Sequence, residues 1–313
     1  MQLRTLVIIV TYNGSHWIRD CLGSLRASVV PLDVVAVDNR STDDTVAIIQ
    51  QDFPEVQVVE SGENLGFGRG NNVGMKMALD QNYDYAFLLN QDAWIDPGTV
   101  ETLIEVHQQH PEYGIVTPMH LNRDETKLDR NFANYLYQSD NLSLLSDALV
   151  PEATPCDVYT VGFVNAAAWF ISRACLRAVG GFDPLFPHYG EDQDYVQRVV
   201  YHGFRVGFTP RTKIVHDREG YAKPSQQRRT LAIQYNGSLI LLKNVNRPFR
   251  TNVFIMVRNE GYGALTALLA GDTEQVGVKL RLLTKVFSTL STIRRHRKYC
   301  ATHPSAFLNR TTS

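Results

Sequence analysis

Residues 85–92 read Tyr85-Ala86-Phe87-Leu88-Leu89-Asn90-Gln91-Asp92, an apolar run of strand length that opens directly into polar residues ending in a carboxylate. A short apolar run bounded by turn-forming residues reads as a buried strand. The carboxylate then stands at the strand's C-terminal tip, where open α/β sheets bind their ligands. Working outward, the pattern repeats. Leu6 to Val10 opens into Thr11-Tyr12-Asn13-Gly14, and Val34 to Val37 opens into Asp38-Asn39-Arg40-Ser41. After a third run, Val56 to Val59, comes a glycine-rich stretch, Asn64-Leu65-Gly66-Phe67-Gly68-Arg69-Gly70-Asn71-Asn72.

The intervening segments read as helices. Ile18, Leu22 and Leu25 are at helical spacing, Ser41 to Asp44 has the form of a capping box before Val46, Ile48 and Ile49, and a helix is expected from about Asn71 to Asp80. Strand and helix in alternation imply a mostly parallel central sheet flanked by helices. A dinucleotide-binding fold would carry its glycine fingerprint after the first strand, where Tyr12-Asn13-Gly14 stands instead. The glycines after the third strand have two readings. They are a flexible connection, or a loop whose backbone approaches a nucleotide diphosphate; the interleaved Asn64, Arg69 and Asn71 favour the second, since glycine permits close approach and arginine pairs with phosphate. Asp38 likewise either meets a ligand or anchors an Asx turn.

The chain has 313 residues, 44% of them hydrophobic, enough for a sizeable core. A net charge of -1 argues against a general nucleic-acid binder, which needs surplus Lys and Arg. The charge is uneven, with eight Lys/Arg against two Asp/Glu from Gly271 onward. Cys21, Cys156, Cys175 and Cys300 have no metal or redox spacing and fit a reducing, cytosolic setting. No room for a signal peptide is seen before the first strand, and no run of about 18 apolar residues would span a membrane. Asn309-Arg310-Thr311 matches a glycosylation acceptor pattern and is read as chance.

The ordered segments VTYNG, VDNRSTDDT, NLGFGRGNN and LLNQDA, then Gly180-Gly181-Phe182-Asp183, Gly190-Glu191-Asp192 and Val215-His216, resemble the inverting family 2 glycosyltransferases of the GT-A fold group over roughly residues 3 to 220. The resemblance implies a GT-A catalytic domain over 1–225, with a donor half to about 95 and an acceptor half from 96, followed by an α-helical C-terminal region over 226–313. It implies that Thr11, Tyr12, Asn13, Asp38 and Asn39 hold the base and ribose of a nucleotide sugar. Asn64, Gly66, Arg69, Asn71, Asn90 and Gln91 complete the donor site. Asp92 and His216 would bind a divalent metal, with Mn²⁺ favoured over Mg²⁺ because imidazole suits the softer ion. The family's first acidic residue at the strand tip is here Asn90, so ligation leans on Asp92.

On the acceptor side, Glu191 and Asp192 open a helix, where acidic side chains are also favoured by the helix dipole. The family's Glu-Asp motif implies Asp192 as general base and Glu191 as support to acceptor hydroxyls. One base suffices for a direct inverting displacement. The Asn-Gln-Asp form with Phe67 resembles the rhamnosyltransferase branch, with dTDP-L-rhamnose as donor and UDP-galactofuranose as the alternative; the acceptor expected is a glycan or lipid-linked glycan. The stripe Val276, Leu280, Leu283, Val286, Phe287, Leu290 and Ile293, ending in the basic run Arg294 to Lys298, packs on the protein itself or lies on an anionic membrane surface at the inner face of the cell membrane. Two other classes differ in what they would carry. A nucleotidyltransferase would show a basic glycine loop after the first strand, and a silent nucleotide-sugar scaffold would lack Asp92, Asp192 or His216.

Overall fold

The computed structural model describes residues 3–139, 141–186, 189–218 and 229–308. The expected boundary at 225/226, the Pro187-His188 step and Asn309-Arg310-Thr311 lie outside the described residues. Strands β1 (Thr5–Thr11), β2 (Asp33–Asp38), β3 (Gln57–Glu60) and β4 (Tyr85–Leu89) pair in parallel in the order β3-β2-β1-β4. They alternate with α1 (Ile18–Arg26), α2 (Thr45–Asp52) and α3 (Gly66–Asp80). The unbroken run of parallel pairing ends at β4. Strand β8 (Ala168–Ser172) runs antiparallel to it, followed by β6 (Tyr113–Leu121), β9 (Arg205–His216) and β5 (Ala93–Ile95), with β7 (Tyr159–Thr160) also on β9. Only β6 and β9 pair in parallel beyond β4 among the described residues. The sheet is therefore parallel through its first half and mixed beyond, flanked by α4 (Thr99–Gln109), α5 (Arg130–Gln138), α6 (Leu142–Leu149), α7 (Arg173–Val179) and α8 (Glu191–Tyr201).

Strand β1 is apolar from Leu6 to Val10 because both its faces are covered. Leu6 and Ile8 enter a core beneath α3, α7 and α8, while Val7 and Ile9 enter a second core beneath α1, α2 and α4. Each such side chain contributes about 1.5–3 kcal/mol on burial. Helix α3 lies close on β1 because of its glycines: a Cβ on Gly74 would stand 2.5 Å from Ile8, and one on Gly70 2.9 Å from Val10. It begins at Gly66 rather than near Asn71. Helix α2 likewise begins at Thr45, because Ser41 is engaged by Asp38 instead of capping a helix.

Helices α9 (Arg229–Lys243), α10 (Phe249–Leu269) and α11 (Thr273–Thr302) build a third core around Leu239, Leu242, Met256, Leu282, Val286 and Ile293. The stripe read from the sequence is thus divided. Val286 and Ile293 are buried and Leu283 and Leu290 pack against them, while Leu280 and Phe287 are exposed. No helix among the described residues is long and apolar enough to cross a membrane.

Candidate active site

The parallel register sets Thr11 beside Asp38. Asp38 is buried; its Oδ1 accepts from Thr11 Oγ1 (2.9 Å) and Ser41 Oγ (2.6 Å), and its Oδ2 accepts from the Ser41 N–H (2.9 Å). Asn13, in the left-handed region at φ 47°, donates its N–H to Ser41 Oγ (2.9 Å) and accepts from the Thr42 N–H (2.8 Å). Gln91 reaches back from the β4 tip, accepting from the Tyr12 N–H (3.0 Å) and donating to the Tyr12 carbonyl (3.1 Å), and leaves the Tyr12 ring exposed. Gly14 makes room for it, since a Cβ there would stand 2.2 Å from Gln91 Oε1.

The glycine stretch is fixed from the same side. Buried Asn39 accepts from the Leu65 N–H (3.2 Å) and donates to the Gly66 carbonyl (3.2 Å), and Asn64 accepts from the Gly66 N–H (2.9 Å), turning the chain at Gly66 (φ 75°) into α3. Asn71 is buried and donates to the Phe67 carbonyl (3.0 Å). Arg69 is exposed, its Nε donating to the Leu65 carbonyl (3.0 Å). A Cβ on Gly68 would stand 3.0 Å from Phe182 and 3.6 Å from the Glu191 side chain, so the glycine stretch abuts the start of α8. Asn72 ties the two together by exchanging hydrogen bonds with the Phe182 backbone at 2.9 and 2.7 Å.

Pairing of Ala93 with His216 brings the β4 tip to the end of β9. His216 Nε2 lies 3.5 Å from Asp92 Oδ1 and 3.5 Å from Asn90 Nδ2, and both Asp92 and His216 are buried. Asp92 Oδ1 and His216 Nδ1 have no hydrogen-bond partner among the described residues. A buried carboxylate oxygen without a donor is costly, and a divalent cation is the kind of partner this carboxylate and imidazole fit. No cluster of three or more His, Cys, Asp or Glu able to cage a metal occurs among the described residues. Two protein ligands would leave positions for phosphate oxygens and water, as Mg²⁺-type sites do. Behind them, buried Asp217 accepts from Trp17 Nε1 (3.1 Å) and Arg123 Nη1 (2.5 Å), and its N–H donates to the Asp92 carbonyl (2.9 Å). Sequence reading passes over Asp217 and Arg123, whose sole signal is an acid directly after Val215-His216.

Gly190, left-handed at φ 98°, turns the chain into α8. Glu191 is buried with Oε2 unpartnered among the described residues; burial, then the charge of Asp192, pushes its carboxyl up to about 7. Burial pushes the half-buried Asp192 up to about 6, against the Gln193 N–H that donates to it (2.9 Å). Both titrate close to neutrality, where a general base works best. Burial also raises the phenol of Tyr135 on α5, with the charge of Asp192 adding to the rise and Arg218 opposing it. Arg218 donates to Asp129 (2.7 Å). Tyr135 and Arg218 carry no motif that would have singled them out.

Farther along α8, Asp194 pairs with Arg198 (2.9 Å), whose other nitrogens donate to the carbonyls of Val179 (2.9 Å) and Gly181 (2.8 Å). Lys243 of α9 lies 2.6 Å from Asp183 and 3.8 Å from Asp194, and His296 of α11 lies 2.8 Å from Asp183. Burial works to raise the Asp183 carboxyl, but Lys243 and His296 hold it below the usual range. The aspartate of Gly180-Gly181-Phe182-Asp183 is thus tied to the C-terminal helices, and Trp169 is fully buried against Phe182 and Tyr195.

Residues 6–166 match the family model described as Glycosyl transferase family 2. Over 234 residues, covering 67% of this chain and 75% of the relative, the chain is 25% identical to N-acetylglucosaminyl-diphospho-decaprenol L-rhamnosyltransferase of Mycobacterium tuberculosis. It is 23% identical over 203 residues to galactofuranosyl glycosyltransferase of Leishmania donovani, covering 56% of this chain and 47% of that one. Among solved structures, S. aureus TarS 1–349 in complex with UDP-GlcNAc superposes with a TM-score of 0.60 at 16% identity, covering 95% of this chain and 87% of that one, a likeness of fold. The family match takes in just over half of the chain, and with it the chain belongs to glycosyl transferase family 2 and is a glycosyltransferase.

Proposed function

We propose that this protein is an inverting transferase that moves L-rhamnose from dTDP-L-rhamnose to a hydroxyl of a lipid-linked glycan, with Asp192 as its general base. The observation that carries the reading is the pair at the start of α8. A half-buried carboxyl titrating near 6 stands next to a buried one near 7, and the second, Glu191, lies against Gly68 of the glycine stretch. The rhamnose donor is supported by Asn90-Gln91-Asp92, by Phe67 and by the mycobacterial relative, whose name also supports a polyprenol-linked acceptor. Such an acceptor gives the enzyme a workplace at the cytoplasmic face of the membrane.

The catalytic unit is residues 1–225, donor half first, and 226–313 form its helical region. Thr11, Tyr12, Asn13, Asp38 and Asn39 hold the base and ribose, and Asn64, Gly66, Asn71, Asn90 and Gln91 shape the diphosphate side. Arg69 turns from the Leu65 carbonyl to the diphosphate. Asp192 takes the proton of the acceptor hydroxyl as that oxygen attacks the anomeric carbon from the face opposite the nucleotide, while Glu191 orients neighbouring acceptor hydroxyls. The bond from the anomeric carbon to the diphosphate oxygen breaks, its electron pair leaving with the diphosphate. One displacement inverts the centre; a second carboxylate acting as nucleophile would retain it. Asp92 and His216 would hold a divalent cation, Mn²⁺ before Mg²⁺. When bound, that ion supplies electrostatic offset for the charge gathering on the leaving diphosphate.

The test is incubation with dTDP-rhamnose, Mn²⁺ and a polyprenyl-diphosphate sugar, reading nucleoside diphosphate release and the anomeric configuration of the product. Inverted product is expected, and its loss in Asp92→Ala or with a chelator. Retention of configuration, or full turnover in chelator, overturns the reading. A UDP-galactofuranose donor is the second reading, favoured by the Leishmania relative. Thymine differs from uracil by one methyl, roughly 1 kcal/mol of burial, so a donor panel in the same assay separates the two. A silent scaffold would release no diphosphate from any donor.

A further inference from the structure

Helix α10 has two unlike faces. Asn252, Met256 and Ala267 turn into the protein and are buried. At about 100° per residue, Phe254, Val257, Tyr262, Leu265, Leu268 and Leu269 fall within roughly 140° on the opposite side. All six are exposed, Phe254 by 66% and Leu269 by 80%. Arg250 and Arg258 share that arc toward the helix start. The one acidic residue of α10, Glu260, lies outside the arc and is paired with Lys279 (2.6 Å). Scattered exposed apolar residues are ordinary on a protein surface, but a contiguous apolar helix face marks an interaction surface.

Charge identifies the occupant. From Phe249 to Thr302 there are nine Lys/Arg against three Asp/Glu, and Arg294, Arg295 and Lys298 on α11 are exposed. A second copy would bring like charge against like charge, whereas acidic headgroups complement it. We infer that the outward face of α10 docks on an anionic lipid surface, with its apolar side chains embedded and Arg250 and Arg258 reaching headgroup phosphates. Arginine stems can lie along the apolar boundary while their heads stay in the polar layer. The helix lies flat, because Asp272 and Glu274 at the α10–α11 turn oppose end-on insertion. This places the lipid contact on α10, whereas the α11 stripe gives Val286 and Ile293 to the protein core. The docking depends on the helix face alone, so failure of the transferase reading would leave it standing.

The experiment is flotation of the full chain with vesicles of phosphatidylcholine plus phosphatidylglycerol, and of phosphatidylcholine alone, at low and high salt. The protein is expected to float with the anionic vesicles and to be released by salt. Leu265→Asp combined with Leu268→Asp is expected to lose at least about tenfold in binding, with unchanged thermal melting. Arg250→Glu with Arg258→Glu, changed where the side chains meet water, is expected to lose binding to the anionic vesicles as well. No flotation of the wild type, undiminished flotation of either variant, or a dimer in ultracentrifugation that the Asp variant dissolves each overturns the inference.

Discussion

The strand tips and the first turn of α8 treat their polar groups in opposite ways. At the tips, Asp38, Asn13, Asn39 and Gln91 are bonded to one another's loops, with Asp38 alone accepting three hydrogen bonds. At α8, Glu191 keeps a buried oxygen without a partner among the described residues, and both carboxyls are pushed toward neutrality. A saturated network holds its shape without a ligand, so the strand tips are a preformed frame. An under-partnered carboxyl stores the cost of its burial as readiness to take a proton. Substitutions in the two regions should therefore fail differently, the first through stability and the second through turnover.

The largest effect is expected at Asp192. Asp192→Asn should lower turnover by about 10²–10⁴, the scale of a lost general base, with donor affinity by calorimetry within a few-fold of wild type. Wild-type turnover should climb with pH through about 6 as the carboxyl ionises. Wild-type-like turnover in the variant would move the role to Glu191.

Next is Glu191→Gln. The folded carboxyl titrates near 7, above its usual range, so the folded state holds that proton more tightly than the unfolded chain does. The stability this gives is complete below the unfolded value and is lost as pH rises through about 7. The glutamine variant should match wild type near pH 4 and exceed it by up to about 3 kcal/mol at pH 8 in chemical denaturation. Equal stability at pH 8 would mean that the carboxyl is not strained by burial.

Asp38→Ala should show the reverse signature of α8. It leaves the buried Thr11 hydroxyl and Ser41 N–H without their acceptor, costing about 1–3 kcal/mol. A variant as stable as wild type would show the frame to be less rigid than its hydrogen bonds imply. Smallest is Gln91→Ala, which removes two bonds to the Tyr12 backbone and should cost about 1 kcal/mol while weakening donor binding. Thermal melting beside donor titration separates the two losses.

Much of this arrangement is legible in the sequence, for physical reasons. A strand covered on both faces must be apolar without interruption, so β1, β2 and β4 announce themselves, and the polar residues after them can only stand at the tips. What joins the tips is not legible. Gln91 meets Tyr12 across 79 residues, Phe182 meets Asn72 across 110 and Trp17 meets Asp217 across 200, and such side-chain bonds leave no period in the chain. Ser41 looks like a helix cap because its neighbours spell one, yet Asp38 three residues earlier takes its hydroxyl first. In α11 the spacing marks a helix without telling which of two adjoining faces is covered. Val286 is buried and its neighbour Phe287 is exposed.

Ser305 and Ala306 close over the end of α7. The Ser305 N–H donates to the Arg177 carbonyl (2.8 Å), and the Gly181 N–H donates to the Ala306 carbonyl (2.8 Å). Ser305 and Arg177 are 128 residues apart, which a ribosome working at 5–20 residues per second covers in roughly 6–25 s. Asp183 is made 60 residues before Lys243 and 113 before His296, so its carboxylate waits for the C-terminal helices that neutralise it. The turn after α7 thus reaches its final form only when the C-terminal helices have been made, and a prematurely released polypeptide would carry the Asp183 carboxylate without either cation that neutralises it.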